Sequence, residues 1–385
     1  MKKGRFSILL KKRKIILIAL IYILSLSLRL IDLENTSIYS DEITWTVRGK
    51  EIIYALIHAN KNFFENAWWK KTNDTEAIAL PLTLLSGISQ FFLAGNGKYS
   101  LKIFNDIFAS RLPIAIISSL TPVFIFYFGS KLIGEKLALI SAIFYLINPI
   151  AIAFDRMSIN DSFLTLFSFT ALTSYLYYSK ENKISFIPGI FLSLAFLTKP
   201  NGILPIIGWL VYDLYQKRNN FPSKQLAINT ISFLVFTNIM WPYSWEKPIY
   251  SIFEYLIRQF HLVQDGMTVF YRGKITTNPP FDFYLFQYLI RMPEILILGF
   301  FVNLISILYL IKNKNIKTKK QNITIITYVL IFLIIISISN KKLGIRYALP
   351  LLPWFVIASA SGWLKILEIL KKQKSEIHFP YFNHI

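Results

Sequence analysis

Apolar runs of bilayer-spanning length recur along this chain, separated by short polar segments, and that alternation restricts the fold more than any single motif. A spanning helix needs about 20 apolar residues, fewer when its ends reach toward the interface. Runs of this kind are Ile15–Ile31, Leu112–Gly129, Leu137–Phe154, Phe163–Tyr178, Ile184–Leu197 and Ile203–Tyr215. Leu226–Trp241, Ile295–Ile311, Ile323–Ser339 and Tyr347–Leu364 continue the series. The expectation is an all-α, polytopic membrane protein with about ten transmembrane helices. A 54% hydrophobic composition and a mean hydropathy of +0.47 over 385 residues exclude an ordinary soluble domain.

The charges then orient the spans. The net charge of +21 is carried by lysine clusters between apolar runs, so topology explains it and a nucleic-acid partner is not expected. With the basic N-terminus, residues 1–14, in the cytoplasm, alternate loops carry Lys131/Lys136, Lys180/Lys183, Lys217/Arg218/Lys224, the run Lys312 to Lys320 and the tail Lys371/Lys372/Lys374. All are basic, as cytoplasmic loops should be. The alternation requires that Leu82–Ala94 does not span. Its apolar residues Leu84, Leu85, Ile88, Phe91 and Phe92 recur at helical spacing, with Thr83, Ser86, Ser89 and Gln90 on the other face. An interfacial helix on the outer leaflet is therefore expected there. One transmembrane domain covers 15–364, with a long first outer loop at 32–111, a second at 242–293 and a basic cytoplasmic tail at 365–385. Both termini are expected in the cytoplasm of a multi-pass plasma-membrane protein. No small-residue cleavage site follows the first apolar run, so a removed signal peptide is not expected.

Cysteine is absent, which rules out disulfides and thiolate metal sites, and the histidines at 58, 261, 378 and 384 form no ligand pair. The chemistry must come from acids and bases on the outer side. Ser40-Asp41-Glu42 follows the first span: as a helix start it reads as a Ser40 cap with acids in the first turn, and as chemistry it reads as a general base. Arg156 and Asp161 flank the next outer turn, where Ser158-Ile159-Asn160-Asp161 also matches a capping box. Lys199 lies in the tight hairpin Thr198-Lys199-Pro200-Asn201-Gly202, where a lysine is ordinarily solvated. Lys341, Lys342 and Arg346 form a basic cluster outside, against the charge bias of the other loops, and phosphate binding would explain it. No ionisable residue sits in mid-span, with Arg29, Asp213 and Glu294 near span ends, which argues against a coupled transporter. The loop aromatics Trp45, Trp68, Trp69, Phe270, Tyr271, Phe281, Phe283 and Tyr284 serve equally as interface anchors or sugar-stacking surfaces. Asn278-Pro279-Pro280 marks a turn, and Phe281–Leu289 reads as a second interfacial helix.

In order and spacing, these residues resemble the C-type (GT-C) glycosyltransferases that use lipid-linked sugars. The nearest groups are the dolichyl-phosphate-mannose protein mannosyltransferases and the lipid A aminoarabinose transferases. The resemblance runs from the first span to about Gly362. It is carried by Asp41-Glu42, Ser110-Arg111-Leu112-Pro113, Gly134, Arg156 with Asp161, Gly189 to Gly202, and Arg346-Tyr347-Ala348-Leu349-Pro350 with Pro353. It implies a polyprenyl-phosphate sugar donor, an acceptor hydroxyl on a protein, lipid or glycan, and an extracytoplasmic active site. It further implies Asp41 as base with Glu42 beside it, Asp161 as the second-loop acid, and Arg346, Lys199, Arg156 and Lys341 at the donor phosphate. The chain departs from the pattern at Ala79-Leu80-Pro81, where relatives carry His-Pro-Pro or Lys-Pro, and in lacking the extra C-terminal region of larger relatives. No cofactor is required by this chemistry, although Glu42, Glu65, Asp74 and Glu76 leave room for a hard divalent ion. The rival reading is a lipid-linked sugar transporter or a non-catalytic accessory subunit, which would use the same basic cluster without needing Asp41.

Overall fold

The computed structural model describes residues 2–58, 79–94, 103–216, 221–262, 264, 266–312, 320–342 and 344–377. Glu65, Asp74, Glu76, Trp68, Trp69, Lys217, Arg218, His378 and His384 lie outside the described residues. The helices are α1 (Lys2–Leu30), α2 (Ser40–Ile57), α3 (Leu80–Leu93), α4 (Ile103–Ser118), α5 (Leu120–Leu132), α6 (Glu135–Leu146), α7 (Pro149–Phe154) and α8 (Asn160–Lys180). They continue with α9 (Ile187–Thr198), α10 (Pro205–Gln216), α11 (Lys224–Met240), α12 (Pro248–Leu262), α13 (Phe283–Arg291), α14 (Glu294–Lys312), α15 (Lys320–Ile338) and α16 (Leu352–Ile377). Two helical stretches, 106–132 and 344–371, are long and apolar enough to cross a membrane by length and composition.

The exterior is apolar, and charged side chains are packed inside among the hydrophobic core. Ile15, Ile16, Leu20 and Ile23 of α1, Ile231, Val235 and Ile239 of α11, and Leu298, Ile305 and Leu308 of α14 are exposed. Arg29, Glu42, Asp106, Arg111, Asp161 and Asp213 are buried. In water such a surface would aggregate; against lipid it is the expected exterior, with ionisable groups turned inward and paired. Helix α8 is the axis of the bundle, with every residue from Asn160 to Leu176 buried. It packs against α9, α5, α10 and the 3-10 segment Gly344–Leu351, so its N-terminal Asp161 is enclosed by elements distant in sequence.

Several apolar runs divide where local chemistry demands it. Leu137–Phe154 becomes two helices because the Asn148 side chain accepts from Ile150 N at 3.0 Å and Ala151 N at 3.1 Å, capping α7 with Pro149 in its first turn. The second run begins earlier than Leu112: α4 starts at Ile103 and passes into α5 through a turn at Ser119. Beyond Leu364, α16 continues to Ile377, so much of the basic tail is helical. The 242–293 segment contains the only strand pairing among the described residues, a hairpin of Val269–Tyr271 with Lys274–Thr276. Its two-residue turn needs positive φ at both positions, which Arg272 (φ 46) and Gly273 (φ 80) supply.

The helix at Leu80–Leu93 is amphipathic as expected, but its polar face is not toward water. Thr83, Ser86 and Gln90 are buried against α2 and α4, while Ile88, Phe92 and Leu93 are exposed. Gln90 Nε2 donates to Thr46 O at 3.1 Å and to Ser86 Oγ at 2.9 Å, and the Ser86 and Ser110 hydroxyls lie 2.7 Å apart. The helices approach at a glycine pair: a Cβ on Gly87 would stand 2.2 Å from Gly49 O, so neither position admits a side chain. Small residues and shared hydrogen bonds thus hold α2, the helix that carries Asp41.

Candidate active site

The segment before α2 is shaped by one arginine. Arg111 is fully buried on α4 and faces Glu42, donating from Nε to Oε1 at 2.8 Å and from Nη2 to Oε2 at 2.7 Å. The same guanidinium donates to the carbonyls of Leu33 at 2.9 Å, Thr36 at 3.2 Å and Ser37 at 3.0 Å. Planar, fork-shaped arginine suits this combination of a bidentate carboxylate and several carbonyls. Glu42 also accepts from Tyr39 N at 2.8 Å and Ser158 N at 2.7 Å. With both oxygens so engaged, Glu42 organises the backbone around Asp41.

Both capping expectations change as a result. Tyr39, not Ser40, is the N-cap of α2, and Glu42 reaches back to it from the N3 position. Ile159 precedes α8 without a side-chain cap, so Ser158 does not form the box with Asp161. Ser158 instead accepts from Ser110 Oγ at 2.6 Å and donates its N–H to Glu42. The start of that turn is anchored by Arg29, whose Nη2 donates to Asp155 Oδ2 at 2.6 Å in a pair almost devoid of solvent. Arg29 therefore acts as a buried tether of the 155–161 turn.

Asp41, on the next residue position, turns the other way. Arg346 Nη1 donates to its Oδ2 at 2.7 Å across 305 residues of sequence; the carboxylate side chain is 40% exposed and the guanidinium 7%. Tyr39 and Tyr347 stand against the guanidinium, with ring centroids 5.0 and 5.4 Å from its carbon. Tyr347 also meets Lys199, whose Nζ lies 4.3 Å from the ring centroid and pairs with Asp161 Oδ1. Asp41, Arg346, Tyr347, Lys199 and Asp161 form one continuous cluster, with contributions from α2, the 344–351 segment, the α9–α10 hairpin and α8. Two carboxylates, Asp161 and Asp41, face the Arg346 guanidinium. Among the described residues, Arg346 Nε and Asp161 Oδ2 are buried without hydrogen-bond partners, leaving unused donor and acceptor capacity inside the cluster.

The remaining basic residues lie differently. The Arg156 Nη2 donates to Ile31 O, so this side chain braces the end of α1. Lys341 is partly buried beside Lys342, whose Nζ donates to Pro279 O at 2.8 Å and ties the 278–280 turn to the residues that follow α15. Burial pulls the Lys342 ammonium below its ordinary pKa. Sequence reasoning did not identify Tyr39, Tyr347 or the Arg111–Glu42 pair as parts of the site. Arg111 and Tyr347 stood inside quoted motifs, but nothing in a motif tells which carboxylate or cation a side chain will meet. Among the described residues no group of three His, Cys, Asp or Glu side chains could hold a metal ion.

Comparison with known proteins gives a consistent picture. Residues 97–241 match the family model for dolichyl-phosphate-mannose-protein mannosyltransferase. No curated protein matches the chain in sequence. ArnT from Cupriavidus metallidurans, solved bound to undecaprenyl phosphate, superposes with a TM-score of 0.59 at 16% identity, covering 89% of this chain and 59% of that one. The archaeal oligosaccharyltransferase AglB from Archaeoglobus fulgidus, solved with an inhibitory peptide and a dolichol-phosphate, gives 0.60 at 12% identity, covering 97% of this chain and 53% of that one. The chain thus spans between half and three-fifths of the length of these solved proteins. The bundle, the mannosyltransferase-like match over 97–241 and both superpositions agree that this chain carries the C-type glycosyltransferase fold.

Proposed function

We propose that the chain is an integral-membrane glycosyltransferase that moves a sugar from a polyprenyl-phosphate donor to an acceptor hydroxyl on the extracytoplasmic face, with inversion. The observation that carries this reading is the Asp41–Arg346 pair: a half-exposed carboxylate 2.7 Å from a nearly buried guanidinium, with Lys199 and Asp161 joined through Tyr347. A base and a phosphate-binding cation within one side chain's reach of each other are what sugar transfer from a phosphate leaving group requires. ArnT was solved with undecaprenyl phosphate and AglB with a dolichol-phosphate, which supports the same donor class here. In this reading the chain has about ten spans, both termini lie in the cytoplasm, and the Asp41 cluster faces outward. The exposed apolar face of α12, Ile249, Phe253, Ile257 and Phe260, would then rest in the outer leaflet.

Asp41 takes the proton of the acceptor hydroxyl as its oxygen attacks the anomeric carbon. The bond from that carbon to the phosphate oxygen breaks, and its electron pair stays on the phosphate. A singly charged diester thereby becomes a monoester carrying one more negative charge, which Arg346 and Lys199 stabilise as it develops. Asp161 holds Lys199, and Glu42 holds the loop bearing Asp41; Arg156 and Lys341 are proposed as outer contacts to the headgroup. The sugar itself and the acceptor are set by pocket surfaces beyond these residues. The test is radiolabelled sugar release from polyprenyl-phosphate donors by purified protein in lipid. Wild type should turn over and Asp41→Asn should lose at least about 100-fold with folding intact. Substantial turnover by the variant would sink the assignment, and donor binding without transfer by either protein, with acceptor supplied, would favour the transporter or accessory reading.

A further inference from the structure

The geometry points to a competition inside the site: Asp41 and the donor phosphate use the same arginine, so we infer that donor binding frees the base and must precede productive acceptor binding. This rests on the glycosyltransferase reading and adds an order to it. Arg346 Nη1 is the group that Asp41 Oδ2 accepts from, at 2.7 Å. A carboxylate oxygen engaged in that hydrogen bond directs its lone pair at the arginine and not at an incoming hydroxyl. The guanidinium cannot swing far to serve both partners. It is nearly buried, with Tyr39 and Tyr347 rings against it, and the backbone of its segment is held by the Tyr288 hydroxyl on Ala348 O at 2.6 Å.

Asp41, by contrast, has room to move. Its side chain is 40% exposed, and among the described residues its other oxygen takes only a long 3.4 Å contact from Ser40 Oγ. The mobile member of the pair is therefore the base, and the fixed member is the phosphate site. A phosphate entering at the Nη1–Nη2 edge of Arg346 meets two parallel donors through two of its oxygens, a bidentate arrangement that takes over Nη1, the donor Asp41 uses with a single oxygen. Asp41 is displaced toward solvent, where an acceptor hydroxyl arrives. No base is presented until a donor is seated, and the departing polyprenyl phosphate, by leaving Arg346, lets the pair re-form.

Carbodiimide with glycine ethyl ester, read by peptide mass spectrometry on the full-length protein in nanodiscs, reports the freedom of the Asp41 carboxylate directly. Undecaprenyl phosphate is the probe and undecaprenol the control. The lipid phosphate should raise Asp41 modification several-fold and the alcohol should not. In Arg346→Gln, modification should start high and stay there. Asp41→Asn should bind undecaprenyl phosphate about tenfold more tightly, since one charged hydrogen bond no longer competes. Unchanged or reduced modification in wild type overturns the inference whatever the variant's affinity, because tighter binding alone reflects charge repulsion. That outcome leaves Asp41 as the base untouched. Failure of wild type to bind undecaprenyl phosphate at all would overturn both this inference and the donor class.

Discussion

The Arg111–Glu42 pair lends itself to a stability measurement that tests how the site is built. Both side chains are wholly buried, and Arg111→Leu removes a bidentate contact at 2.7 and 2.8 Å plus three donations to the carbonyls of the 33–37 segment. Glu42 would keep the Tyr39 and Ser158 N–H groups but would be left as a buried charge without its cation. Breaking one side of such a pair costs about 3–5 kcal/mol, mostly through the stranded partner. Glu42→Gln strands the arginine in the same way. The double variant strands neither, so it should fall short of the sum by about 2 kcal/mol or more. Thermal unfolding in lipid nanodiscs, followed by tryptophan fluorescence, should show each single variant roughly 10 °C below wild type and the pair well above the additive value. Additivity to within about 0.5 kcal/mol would refute the reasoning, because it would mean that Arg111 holds the loop without working through Glu42.

Other perturbations test neighbouring parts. Lys199→Ala leaves Asp161, fully buried, without its cation, so stability and transfer should both fall; adding Asp161→Asn should restore the melting temperature but not transfer, and recovery of both would remove Lys199 from the donor site. Gly87→Ala sets a Cβ 2.2 Å from Gly49 O, so α2 and α3 must separate at a cost of about 1–3 kcal/mol, and an unchanged melting temperature would contradict that close approach. EDTA should leave turnover unchanged, since in the proposed scheme Arg346 and Lys199 meet the charge on the leaving phosphate. Loss on chelation with recovery on adding Mg2+ or Mn2+ would overturn the metal-free scheme.

How much of this was readable before folding depends on the range of the interaction. Helical runs such as Ile295–Ile311 and Ile323–Ser339 reappear as α14 and α15 with nearly the same bounds, because length, apolarity and backbone hydrogen bonding within one segment decide a membrane-type helix. Short-range chemistry was legible in principle but harder to weigh. Asn148-Pro149 carried a cap and a first-turn proline in plain view inside an apolar run. Ser158 offered a capping box that lost to stronger partners, Glu42 and Ser110, supplied by other helices.

The amino-acid sequence by itself determined an apolar helical bundle, the sparse ionisable residues beyond its basic loops, and the placement of Asp41, Asp161, Lys199 and Arg346 in the polar segments between apolar runs. It could not determine which charges would pair. Asp41 finds Arg346 across 305 residues, Glu42 turns from Asp41 toward Arg111, and Arg29 finds Asp155 across 126 residues. Adjacent residues on a helix point about 100° apart, so Asp41 and Glu42 had to face different partners. Which carboxylate stayed half-exposed and which was sealed depended on the elements packed around each, and only the tertiary structure brought those elements together.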